Sequence, residues 1–176
     1  MNSPNRCLRP YTFFAVTGGI VSAIALTGCS TVTTSQYEAT ARTAYTWQVK
    51  YAIDPTDDRQ PRFETFASTS LLNRNGLKPE AAVTGPDDRG LWWPALPPRP
   101  SVDEVEQRKR PQEQATAPQL LKAVEYQLTF AVGDKQRTLP TNYQVYRQVV
   151  KAYPQNTPLQ LTLGVNDNSV EKAEPY

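Results

Sequence analysis

Three stretches of this chain alternate apolar with polar or small residues one by one, and that alternation constrains the fold more than any other feature. Tyr45, Trp47, Val49, Tyr51 and Ile53 alternate with Thr46, Gln48, Lys50 and Ala52. Val124, Tyr126, Leu128, Phe130 and Val132 alternate with Glu125, Gln127, Thr129 and Ala131. Leu159, Leu161, Leu163 and Val165 alternate with Gln160, Thr162 and Gly164. A period of two belongs to a strand with one buried face. Gly133-Asp134 suits a two-residue hairpin leading into a partner strand over Lys135 to Leu139. Arg62 to Ala67 predicts a further strand, with a less regular pattern. The helical period appears at Tyr143, Tyr146, Val149, Val150 and Tyr153, with Thr141 as the expected cap and Pro154 as the stop. The order strand, hairpin strand, helix, strand predicts an α+β domain over 44–166. Its sheet is expected to be mostly antiparallel, with one amphipathic helix packed on it.

Long loops should separate these elements, because the chain holds 16 prolines. Asp54 to Asp58 reads as a turn, as do Asn73 to Gly76 and Thr84 to Gly90. Leu91 to Pro100 has proline at positions 94, 97, 98 and 100, which imposes extended or polyproline II backbone. Ser101 and Glu104 have the spacing of a capping box for a short surface helix, with Arg108, Lys109 and Arg110 in its last turn and Pro111 ending it. Gln112 to Pro118 reads as a linker-like loop, and 167–176 as a loose, acidic tail.

The N-terminus has a different character. Arg6 and Arg9 precede an uncharged run from Phe13 to Ala25 that contains Gly18 and Gly19. That run is too short for a membrane span and has the form of an export signal. Leu26, Thr27, Gly28 and Cys29 then resemble the lipobox of bacterial lipoproteins, position by position. The resemblance covers the first 29 residues and implies the following. Leu26, Thr27 and Gly28 are read by the signal peptidase. The chain is cut before Cys29, whose thiol carries diacylglycerol and whose new amine is acylated. The partner so implied is a lipid bilayer, held through the acyl chains, since two or more chains anchor stably where one does not. The location implied is the exported side of the cell membrane or of an outer membrane, with Ser30 after the cysteine favouring the latter. Ser30 to Thr43, rich in Ser and Thr, reads as a tether from 29 to 43. An ordinary signal peptide followed by a chance cysteine is the alternative.

Removing 28 of the 176 residues leaves 148, one domain of ordinary size. The same cut takes the basic count from 19 to 17, equal to the acids. A neutral chain argues against nucleic acid as a partner and against a polybasic grip on lipid. Cys7 leaves with the signal and Cys29 carries lipid, so the exported domain has neither disulfide nor free thiol. The chain has no histidine. That excludes Ser-His-Asp and Cys-His catalysis, His-ligated zinc and c-type haem. No cofactor, no metal site and no catalytic residue are expected, and the chain reads as a non-enzyme.

The candidate binding surface is Trp92, Trp93, Pro94, Pro97 and Arg99. Adjacent residues in extended backbone point to opposite sides, so one tryptophan can be buried while the other stacks on a sugar ring or receives a protein. Both can equally plug gaps beside the sheet. Pro94, Pro97 and Arg99 also fit the pattern that SH3-type grooves read. Asp57-Asp58 and Asp87-Asp88 are either exposed turn residues or the carboxylates of a hydrolase or calcium site. Tyr143, Tyr146 and Tyr153 form either core or a ligand cage. The stretches Gly85 to Pro94 and Leu139 to Tyr143 resemble envelope lipoproteins of cyanobacteria, a resemblance that implies no activity. The expected function is an adaptor, assembly or structural component of the cell envelope with a protein partner there. Glycan binding through Trp92 or Trp93 is the alternative, and a carboxylate-based hydrolase a third.

Overall fold

The computed structural model describes residues 30–54 and 61–176. The signal segment, the lipobox and the turn residues 55–60, with Asp57 and Asp58, lie outside them. Among the described residues one sheet holds eight strands: β1 Thr31–Thr34, β2 Tyr37–Ala52, β3 Arg62–Arg74, β4 Gln114–Ala115, β5 Gln119–Val132, β6 Lys135–Thr141, β7 Leu159–Leu163 and β8 Val170–Pro175. The order is β1-β7-β8-β6-β5-β2-β3, with β4 paired to β2 beyond the end of β5. Every pairing is antiparallel except β6 with β8. Two α-helices join it, α1 Val102–Gln107 and α2 Tyr143–Ala152. The α+β class is therefore as the alternation predicts.

One face of the sheet is buried. Along β2, Ala39, Ala41, Thr43, Tyr45, Val49 and Tyr51 point inward. Ala39 and Ala41 meet Val145, Tyr146 and Val149 of α2 in the main core, together with Leu128, Phe130, Leu159, Leu161 and Leu163. Gly76 lets that helix sit close, since a Cβ there would fall 2.6 Å from the Val150 methyl. A second cluster joins Val49 and Tyr51 to Val105 of α1. The opposite face of β2 and β5 carries Thr40, Arg42, Glu125 and Gln127 and faces solvent, as antiparallel sheets allow. Cross-strand hydroxyl pairs, Thr129 with Thr138 and Thr46 with Ser68, line it.

The hairpin forms as predicted, with Gly133 at φ +57° and Val132 opposite Lys135. Several expectations are corrected. The stretch 31–43 is not a tether: β1 pairs with β7, and β2 begins at Tyr37 rather than Tyr45. Its Thr residues are β-branched and favour strand, and its inward alanines are small because a helix lies over them. The tail is not loose either. Val170 and Ala173 are buried, and β8 pairs with β7 over its length. Thr141 ends β6 and donates its hydroxyl to the Val170 carbonyl, while Asn142 caps α2 by accepting from the Val145 amide. The loop 112–118 contains β4. α1 stops at Gln107, so Arg108 to Arg110 lie beyond it: Arg108 packs against β3, and Lys109 pairs back to Glu106 of the helix. Ile53 falls past the end of β2 and is exposed.

If β8 is structural, deleting residues 169–176 should destabilise the domain by at least about 2–3 kcal/mol, the scale of one buried Val. Urea unfolding checks this. A loose tail would leave the midpoint unchanged.

Candidate functional site

The Leu91–Pro100 segment crosses the buried face as a strap, and Asp87 sets its path. The Asp87 carboxylate accepts from the Arg89 and Leu91 amides, both at 2.9 Å, and from the Trp93 indole N–H at 2.8 Å. Burial works against the charge. The Leu91 amide, the Trp93 indole and the Arg89 amide and guanidinium outweigh it and hold the carboxyl below its usual range. Its oxygens are thus taken up by the chain's own donors, which makes Asp87 the organiser of a turn.

The strap is next pinned by Asn73, a fully buried amide on β3. Its Oδ1 accepts from the Trp92 amide at 2.8 Å, and its N–H group donates to the Trp92 carbonyl at 3.1 Å. The Thr43 hydroxyl donates to the same carbonyl at 2.7 Å. Trp93 then turns inward, 7% exposed, its ring 5.0 Å from that of Tyr45, with the Lys122 ammonium over both rings. Trp92 is half-buried, with Lys78 5.2 Å from its ring. The Trp47 indole donates to the Pro97 carbonyl at 3.0 Å, and Arg99 lies over the Trp47 ring.

The structure therefore divides the expected binding surface. Leu91, Trp93, Pro94 and Pro97 are buried, and Trp92 is half-exposed. Trp93 has no free face on which a sugar could stack. Pro94 and Pro97 face the protein, so the SH3-type reading fails on geometry, since that groove needs both prolines presented outward. Arg99 remains exposed.

Arg99 also lines the feature that the sequence did not reveal. A groove of about 450 Å³ runs between α1 and the turn after β4, lined by Arg99, Pro100, Val102, Val105, Ala115 and Pro118 among others. Ser101 starts α1 with the expected capping box: its hydroxyl accepts from the Glu104 amide, and the Glu104 carboxylate accepts from the Ser101 amide at 2.7 Å. Val105 packs on Val49 and Tyr51, and the Tyr51 hydroxyl donates to the Val105 carbonyl at 2.9 Å. This leaves Val102 outward, 77% exposed. On the other wall, the Thr116 amide donates to the Lys50 carbonyl at 2.9 Å.

Arg62 fixes the loop between these walls. Its guanidinium lies 4.4 Å from the Tyr51 ring centre and donates to both oxygens of Glu113, at 3.0 and 2.5 Å, and to the Arg108 carbonyl. It also pairs with Glu64. The hydrogen bonds from Arg62 hold the Glu113 carboxyl at about 2. Arg108 in turn lies over the Phe66 ring at 4.0 Å and donates to the Thr65 carbonyl.

The tyrosine stripe is mostly core. Tyr146 is buried, which pushes its hydroxyl up to about 12. Its ring and that of Tyr143 pack on Tyr126, at 5.3 and 6.0 Å, and Arg89 lies over Tyr143. Tyr153 falls in a 3₁₀ turn after α2 and is exposed. Among the described residues no group of three His, Cys, Asp or Glu side chains is placed to hold a metal ion, and no helix is long and apolar enough to cross a membrane.

Two outcomes follow from this geometry. Asn73→Ala leaves the Trp92 amide and carbonyl short of partners and should cost about 1–3 kcal/mol in urea unfolding. Tryptophan emission should shift to the red as the strap loosens. The Glu113 carboxyl is depressed in the folded state, so its link to Arg62 contributes fully above the ordinary value of 4.5 and is lost as pH falls through about 2. Wild type and Glu113→Gln should differ in melting temperature near neutral pH and converge as the solution is acidified towards 2. Comparison with family models, with characterised proteins and with solved structures finds no match to this chain.

Proposed function

We propose that this protein is an exported, lipid-anchored adaptor of the cell envelope with no catalytic role, held to a membrane through Cys29 and engaging a protein partner. The observation that carries the reading is the placement of the two ends of β2. Ser30, the residue after Cys29, bonds through its hydroxyl to Asp167, and the Asp167 carbonyl accepts from Arg137 at 2.8 Å. Arg137 pairs with Phe130, and Phe130 with Tyr37, the first residue of β2. The groove lies at the other end, where Tyr51 bonds to Val105. From Tyr37 to Tyr51 the strand runs roughly 45 Å at about 3.3 Å per residue. An anchor at one end and an apolar-lined groove at the other suit a protein that displays a docking point away from the lipid surface. The groove mixes proline, valine and alanine with Arg99 and Glu106, a composition suited to a protein segment.

Site-directed photocrosslinking in native membranes tests this. A photoreactive residue in place of Val102 should give a discrete protein adduct, while one in place of Lys151, exposed on α2, should not. Cys29→Ser should abolish the adduct by releasing the chain from the membrane. No adduct at position 102, or the same pattern from both positions, would overturn the adaptor reading.

A further inference from the structure

The anchored chain has almost no free length between its lipid and its fold. Cys29 and Ser30 are neighbours, with Cα atoms about 3.8 Å apart. Ser30 is already held: its carbonyl accepts from the Leu163 amide at 2.8 Å and its hydroxyl bonds to Asp167. β1 starts at the next residue. Attachment at Cys29 therefore brings this corner of the domain against the headgroups.

The same corner carries an apolar tip. The chain turns sharply over Val165–Asp167, with Asn166 at φ 55° and Asp167 at φ 54°, both left-handed. The turn is closed by hydrogen bonds from the Asp167 amide to the Gly164 carbonyl and from the Gly164 amide to the Ser169 carbonyl, both at 3.0 Å. It leaves Val165 72% exposed, two residues from the Leu163 amide that holds Ser30. Val132, at the tip of the β5–β6 hairpin, is 38% exposed at the same end, beside Lys135 and two residues along the strand from the partner of Arg137. Asp134 and Asp167 balance the charges of Lys135 and Arg137.

We infer that the anchored domain docks on the bilayer through this corner, with Val165 in the boundary between headgroups and acyl chains, and does not swing on a tether. The inference rests on the lipid anchor proposed above and adds an orientation to it. The occupant of the patch is the lipid surface, because the acylated residue immediately precedes it. Since local charges balance, the contact draws on apolar insertion and does not depend on anionic lipid.

The test uses the full chain, lipidated in its host, carrying Val165→Cys. Cys7 leaves with the signal and Cys29 is acylated, so the new thiol is the only free one. It is labelled with an environment-sensitive dye, and the protein is reconstituted in phosphatidylcholine vesicles. The expected result is a blue-shifted emission quenched by brominated lipid, with Val102→Cys, at the far end of β2, showing neither change. Adding anionic lipid should leave the shift unaltered. Asn168→Cys, exposed on the same turn, gives an independent reading should the first variant fail to fold. A chain that floats with the vesicles but shows water-exposed labels at 165 and 168 overturns the docking and leaves the anchor standing. A chain that does not float overturns the anchor, and this inference with it.

Discussion

Covering one side of a very long strand is the constraint on which the rest of the structure depends. β2 runs for 16 residues and points an apolar or small residue inward at most alternate positions. At about 3.3 Å per residue it is roughly 50 Å long. A ten-residue helix such as α2 covers about 15 Å, and the six residues of α1 cover less. The gap between them is closed by extended chain. A strap cannot bond its own backbone as a helix does, so its polar groups need partners from outside. Asn73 and Thr43 supply them from the buried face, which explains why two polar side chains lie at 0% exposure in the middle of a hydrophobic layer.

The aromatic residues of the strap and of the strands beside it are finished by cations. Lys122 lies over Tyr45 and Trp93, Lys78 over Trp92, Arg99 over Trp47 and Arg108 over Phe66. Each of these exposed side chains sets its cation over a ring while keeping that charge near water. Arg62 does more, because its planar fork joins Glu113, the Arg108 carbonyl and the Tyr51 ring at one point. A lysine could not make those contacts together. The groove owes its shape to this joint, since it fixes where the chain returns from α1 to β4.

The strands with large alternating side chains were legible in the sequence, and so were the hairpin, the helix α2 and the capping box of α1. What escaped was built from small or polar residues. Thr31 to Thr43 resembles a linker in composition, yet its alanines are small because a helix lies over them. Lys172 and Glu174 gave the last strand the look of a solvated tail, although only its outer face is solvated. The groove escaped for a different reason: it exists because β4 continues the line of β5 along β2, and no local pattern encodes that register. Trp92 and Trp93 were recognised as a pair with two opposite faces, but which face is buried depends on Asn73, nineteen residues away.

The pairing of β1 with β7 bears on how the chain reaches its final form. Thr31 lies opposite Thr162, a separation that spans most of the molecule, and β2 waits for β5 across a shorter but still long gap. Contacts so distant in sequence close late and slow the search for the native state. During synthesis the N-terminal strands emerge first; β2 can pair with β3 at once, but β1 and the other edge of β2 have no partner until the last third of the chain follows. The residue nearest the proposed anchor is thus among the last to be locked in place, and β1 and the β5-facing edge of β2 stay open until then. A chain built this way gains from a delay in collapse, and from a helper that shields unpaired strand edges while its C-terminal third arrives.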